Sequence, residues 1–326
     1  MVVVKEVAKK NLKKNIILIL IVAVLLGLTL SPLHSWPASF SPEVFWHLRF
    51  PRIITALLAG GAVALSGLLM QSYFQNPLAG PYILGIHSGA TFFVAMWFMF
   101  FHQTAGLLAR LGPIGSALLG SFLMMVIIIS ISKKIGNKIL LVLLGLFVSQ
   151  LTSGLLTVCL NFAQQDHIKA ILLWSFGTFQ RTALSDLPFL FLASVVPLLL
   201  AFRMAAHLDL LHLGETYAHL SGMNFKKISL YVIMLTGFSA GLVVAFCGPI
   251  AFIGLAAIHL SKMLFKTERH VVLIPASFLI GSIMALTVEA LNLCMTPLSL
   301  PLNAVLGIMG APVIILFIYK MNFRQA

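Results

Sequence analysis

Long apolar runs recur along the whole chain, each closed by charged residues, proline or glycine. Ten such runs stand out, near 15–33, 50–72, 82–101, 113–132, 139–160, 185–205, 228–247, 250–265, 271–293 and 302–320. A run of roughly 20 residues forms a helix about 30 Å long, enough to cross the hydrocarbon core of a bilayer. The pattern predicts an all-α polytopic membrane protein with about ten transmembrane helices. No composition shift marks off a soluble domain, so residues 1–326 read as a single membrane domain. Short non-spanning helices are expected within 161–184 and around 247–252, where Pro, Gly and polar residues interrupt the apolar pattern.

Charge fixes an orientation. Only 9% of the 326 residues are charged against 60% hydrophobic, well below the roughly one quarter charged that is usual in soluble domains. The net charge of +13 comes from basic residues at the ends of apolar runs, without interleaved aromatics, so no nucleic-acid partner is expected. With the N-terminus inside, the 21 Lys and Arg residues fall on the cytoplasmic side except for Arg49, Arg52, Arg110, Lys169 and Arg181. That asymmetry follows the positive-inside rule and puts both termini in the cytoplasm. The first run follows a basic flank but is long and has no A-x-A site, which reads as an uncleaved span.

Within this background "NPLAGPYILGIHSG", Asn76 to Gly89, packs two prolines and three glycines with no formal charge. Both residue types break helices. Irregular backbone at membrane depth is tolerated only against protein or a water-filled cavity. Few residues elsewhere invite chemistry. No G-x-x-x-x-G-K-[ST], H-E-x-x-H or G-x-S-x-G occurs, so no nucleotide site, cofactor or resident metal is expected and energy is expected from a partner. Cys159, Cys247 and Cys294 lack C-x-x-C spacing and read as small buried residues. His207, Asp209, His212 and Glu215 cluster in sequence, and a solvated polar face accounts for them better than metal ligation. His259 reads as a packing histidine. Glu289 is the one acid inside a span; a functional acid and one wetted or hydrogen-bonded near the outer third of its helix both remain open. Between Gly214 and Gly222, a single short helix of about 10 Å would carry Leu213, Tyr217 and Leu220 as an apolar ridge. Such a helix fits the groove of a partner protein, or lies on lipid.

"RFPRIITALLAGGAVALSGLLMQSYFQNPLAGPYILGIHSGA" (49–90), "LGETYAHLSG" (213–222), "CGPIAFIGLAAIHLSKML" (247–264) and "LPLNAVLGIMGAP" (300–312) resemble, in order, the signatures of the FecCD family. These are membrane permeases of ABC importers for iron–siderophore complexes, haem and cobalamin. The resemblance implies a ten-span homodimer in the cell inner (plasma) membrane, with two cytoplasmic ABC ATPase subunits and a soluble or lipid-anchored periplasmic binding protein. It implies a gate at Asn76, Pro77 and Leu78. It further implies a coupling helix over Leu213, Gly214, Glu215, Tyr217, Ala218 and Gly222, and binding-protein docking at Arg49 and Arg52. The expected cargo is a metal chelate, ferric siderophore ahead of haem or cobalamin. An ion-coupled transporter acting without an ATPase is the competing reading. Departures from the family pattern stand at Ile258 and Lys262, where it has Pro and Arg, at Val288 and Asn292, where it has Asp and Arg, and at Ser299, where it has Glu.

Overall fold

The computed structural model describes residues 2–30, 42–101, 106–132, 138–214, 217, 220–295 and 300–325. Twelve principal helices account for them: α1 (Val2–Leu30), α2 (Phe50–Phe74), α3 (Ile86–Phe101), α4 (Leu107–Ser132), α5 (Lys138–Phe162), α6 (Gln165–Ser175), α7 (Leu187–Arg203), α8 (Ala205–Leu213), α9 (Phe225–Cys247), α10 (Ile253–Phe265), α11 (His270–Cys294) and α12 (Leu302–Gln325). No strand occurs among the described residues. Seven helical runs are long and apolar enough to cross a membrane, while α3, α10 and the Leu302–Phe317 part of α12 are shorter apolar helices.

The boundaries differ from the apolar runs in instructive places. The first helix begins at Val2, with its apolar span from Asn11. The second begins before residue 50, because Pro42–Val44 and a π-helical turn, Phe45–Arg49, run into α2. The helix α6 supplies the short element expected within 161–184. Between α7 and Gly214, where one short helix was expected only after that glycine, α8 intervenes. Cys247 is buried as expected, but Cys159 is partly exposed and Cys294 exposed.

The helix α2 is the axis of the bundle. Of its most apolar window, 89% is buried, against 17% for α1 and α5. The helices α7, α9, α10 and α11 surround it. Small residues allow this. A Cβ on Gly60 would collide with the backbone of Gly281 on α11, and one on Gly67 with the carbonyl of Gly254 on α10. Backbones therefore meet directly, as in small-residue crossings between membrane helices. By contrast, α1, α4 and α5 present rows of exposed leucine, isoleucine and phenylalanine. Apolar surface of that extent belongs in lipid or against another chain.

Candidate functional site

Two helices start inside the bundle rather than at its end. A 3-10 turn, Pro81–Leu84, precedes α3, and the irregular backbone 248–252 precedes α10. The α10 entry lies beside Gly67, only about 10 Å along the α2 axis from Phe74. Its backbone groups need partners there, and Asn303 provides them. The Asn303 Oδ1 accepts from the Ala251 N–H at 3.0 Å, while Nδ2 donates to the Pro249 carbonyl at 2.8 Å and to that of Ser175 at 3.4 Å. Phe252 adopts φ 66°, a strained conformation for a residue with a Cβ, and packs against Gly307 and Gly310 of α12.

The segment Asn76–Leu78 follows a sharp stop. Gln75 ends α2 in the left-handed conformation, φ 51°. The Asn76 side chain then accepts from the Leu78 N–H at 2.9 Å, and the Asn76 carbonyl from the Ala79 N–H at 3.0 Å. Tyr82 donates its hydroxyl to the Leu78 carbonyl at 3.0 Å. The turn is thus held from within while Leu78 stays 44% exposed. Beside it, the fully buried His259 ring stacks on Phe317 with centroids 3.9 Å apart, consistent with a packing role.

At the same end of the bundle, Gln75 Nε2 donates to the His212 carbonyl of α8 at 3.1 Å. The next residues, Leu213 and Gly214, leave α8 through a φ of 113°, a region open to glycine. Tyr217 and Leu220 are helical, and with Leu213 they are 60–81% exposed, an apolar ridge facing away from the bundle. Gly222 turns the chain back at φ 74°, and Asn224 caps α9 by accepting from the Lys227 N–H. Glu215, Ala218 and Ser299 lie outside the described residues.

Asp209 and His212 are not simply a solvated face. Among the described residues no group of three His, Cys, Asp or Glu is arranged to hold a metal. Instead Asp209 Oδ1 accepts from both the backbone N–H and the Nδ1 of His270, at 2.8 and 2.6 Å. His212 lies 3.8 Å from Glu268, which Lys262 holds at 2.6 Å. Burial pulls the His212 imidazole below its ordinary range, with Lys262 adding to the shift and Glu268 and Asp209 opposing it.

At the opposite end of α2, Arg52 turns inward. Its guanidinium pairs with Glu289 of α11, and the two side chains are only 15% and 1% exposed. Glu289 is therefore neither wetted nor alone. Arg49, in the π-helical turn, stays partly exposed. Asn292, one helical turn after Glu289, accepts from the Leu300 N–H at 2.9 Å and so anchors the entry to α12. Asn303 stands in the quoted segment 300–312, but nothing in the sequence marked its role. The ties between Asp209 and His270 and between Arg52 and Glu289 had no signal beyond the rarity of an acid within a span.

Apolar helices packed glycine to glycine, with two entries broken inside the bundle, define a multi-pass membrane protein. The chain belongs to the FecCD transport family, whose model matches residues 15–320. It is 30% identical to the hemin transport system permease protein HmuU of Yersinia pestis, over 97% of this chain and 98% of that one. It is 29% identical to the vitamin B12 import system permease protein BtuC of Salmonella paratyphi A, over 97% and 98%, and 29% identical to the molybdate import system permease protein MolB of Haemophilus influenzae, over 86% and 82%. A solved metal-chelate type ABC transporter in an inward-facing conformation superposes with a TM-score of 0.84 at 27% identity, covering 94% of this chain and 99% of that one. The chain is thus an ABC importer permease of this family.

Proposed function

We propose that the protein is the membrane subunit of an ATP-driven importer that carries a metal chelate inward, with ferric siderophore the first cargo to test and haem or cobalamin next. The seven long and three shorter apolar helices support ten spans, with α6 and α8 non-spanning. In this reading the membrane is the inner one, and the distribution of Lys and Arg favours cytoplasmic termini. Two copies form the pathway, each joined to a cytoplasmic ATPase subunit, and a periplasmic binding protein delivers cargo. The permease breaks no bond itself; ATP hydrolysis belongs to the partner.

One juxtaposition carries this reading. The turn Asn76-Pro77-Leu78 is tied through Gln75 to α8, directly before an exposed apolar ridge suited to a partner's groove. In this assignment the turn is the gate, and Leu213, Gly214, Glu215, Tyr217, Ala218 and Gly222 form the coupling element. At the other end, Arg49 offers a cation to an acidic group of the binding protein, while Arg52, bound to Glu289, fixes the helix end that presents it. Pairing with Arg52 also occupies Glu289, the one acid within a span that an ion-coupled transporter could have used.

The test is association with the ATPase. Tyr217→Ala removes an aromatic anchor, worth about 1–3 kcal/mol at an interface, and should weaken ATPase binding roughly 5- to 150-fold with membrane insertion unchanged. Wild-type ATPase affinity and uptake in that variant would remove the coupling assignment.

A further inference from the structure

The gate turn and the coupling element lie far apart along the chain, so backbone continuity cannot carry motion between them. Side chains join α8 to the end of α2 instead, in two rungs. On α8 the contributors are the Asp209 side chain and the His212 carbonyl; at the end of α2 they are Ser72 and, at the left-handed position that closes the helix, Gln75. One rung is the Gln75 side-chain donation to the His212 carbonyl at 3.1 Å. The other runs through a third helix. Asp209 Oδ1 meets His270 Nδ1 at 2.6 Å, and His270 Nε2 meets Ser72 Oγ at 2.5 Å.

The inner part of this second rung is buried, Ser72 and His270 being each 2% exposed, while the Asp209 carboxylate at its outer end is 37% exposed. The arrangement of serine, histidine and aspartate matches a hydrolytic triad in connectivity, but no substrate reaches a hydroxyl so enclosed. Its protons are all used internally. A neutral ring gives its Nδ1 proton to Asp209 and accepts the Ser72 hydroxyl proton at Nε2. A doubly protonated ring donates on both sides and leaves the hydroxyl proton to the Leu68 carbonyl, 2.8 Å away. Hydrogen bonds to a charged carboxylate are short and strong, more so away from water. Leu208 and Leu211, both fully buried, seat α8 beside this chain of contacts. Beyond it Gly214 follows directly at φ 113°, a backbone conformation that residues with a Cβ rarely adopt.

We infer that Asp209, His270 and Ser72 are positioning residues for transport coupling: a hydrogen-bonded strut that delivers displacement of α8 to the gate end of α2. The inference rests on the coupling and gate assignments proposed above. With the strut intact, α8, the start of α11 and the end of α2 move as one body, and Gly214 is the joint between that body and the partner-bound helix. Without it, the partner still docks but its movement is no longer transmitted to Asn76–Leu78.

Hydrogen–deuterium exchange on the isolated permease tests the strut, and exchange on the permease–ATPase complex tests its use. In the isolated protein, Asp209→Ala should speed exchange in residues 71–80 about tenfold or more, the loss expected for a hydrogen bond involving a charged group, and Ser72→Ala about two- to tenfold, that of a bond between neutral groups. Asp209→Asn keeps an Oδ1 able to accept the same two bonds without the charge and should fall between wild type and Asp209→Ala. The double alanine variant should show no loss beyond the larger single one. Ser72→Ala leaves the Asp209 cap on the start of α11 in place, so it separates a strut from a simple helix cap and keeps the test open if Asp209→Ala folds poorly. In the complex, ATP should alter exchange in 71–80 for wild type and Asp209→Asn but not for Ser72→Ala, with ATPase affinity unchanged. Loosening confined to 270–275, or a Ser72→Ala protein with wild-type exchange in 71–80, would overturn the strut. A wild-type permease that binds no ATPase would overturn the coupling assignment instead, while the isolated-protein measurement still decides the strut.

Discussion

Asn303 offers the sharpest test of how the broken entry to α10 is held. Replacing it by alanine removes the acceptor for the Ala251 N–H and the donor to the Pro249 carbonyl; the 3.4 Å contact to Ser175 is too long to weigh much. A backbone group left unpaired in a buried site costs about 1–3 kcal/mol. Both groups here are partly rather than fully buried, so the lower half of that range applies to each, about 2–4 kcal/mol for the pair. Aspartate is the stricter probe, being nearly the same shape. It keeps an oxygen for Ala251 but turns a second lone-pair-bearing oxygen toward the Pro249 carbonyl. At neutral pH the aspartate variant should therefore be less stable than the alanine variant. Unfolding by sodium dodecyl sulfate from a mild detergent, followed by exchange at 248–252, measures both effects. An alanine variant within about 0.5 kcal/mol of wild type, or an aspartate variant as stable as wild type at pH 7, would show that other groups satisfy this backbone.

Two further outcomes bear on the ends of α2. Glu289→Ala strands the Arg52 guanidinium in a largely buried site and should cost about 3–5 kcal/mol, whereas changing Arg52 and Glu289 together to Met and Leu should recover most of the loss; equal, additive losses in the same unfolding assay would argue against the pair. A cysteine at Leu78 in a background lacking Cys159, Cys247 and Cys294 should crosslink two copies across the proposed dimer axis and block uptake until reduced, and an active variant that never crosslinks in any nucleotide state would remove Leu78 from the gate.

Much of the architecture was legible because membrane helices announce themselves by length and composition. The ends of α5 and α11 fall close to the limits of their apolar runs, as does the end of α4 at Ser132, although α4 begins six residues before its run. The reading blurred where apolar composition continues through irregular backbone. Runs starting at 82 and 250 contain helices that begin only at Ile86 and Ile253, since Ile83 and Ala251 look the same to hydropathy whether helical or not. The Asn76–Leu78 turn was visible through its prolines and glycines, whose effect is local. Pairings were not. Ser72 and His270 lie 198 residues apart, and Asp209 and His270 lie 61 apart, so nothing in one sequence ties them. Glu289 could be flagged as an unusual acid, but its partner had to wait for the packing of α11 on α2.

The pairing of Arg52 with Glu289 also bears on how the protein is made. Glu289 leaves the ribosome about 240 residues after Arg52, roughly 10–50 s later at ordinary rates of synthesis. During that interval the most enclosed helix of the finished bundle is already inserted with its charge unanswered, held at the lipid surface by the reach of the arginine side chain. The arrival of α11 both neutralises it and closes the glycine crossing at Gly60 and Gly281. Nascent chains cut short before residue 270 should therefore be recognised as unfinished by membrane quality control, although most of their helices are already in place.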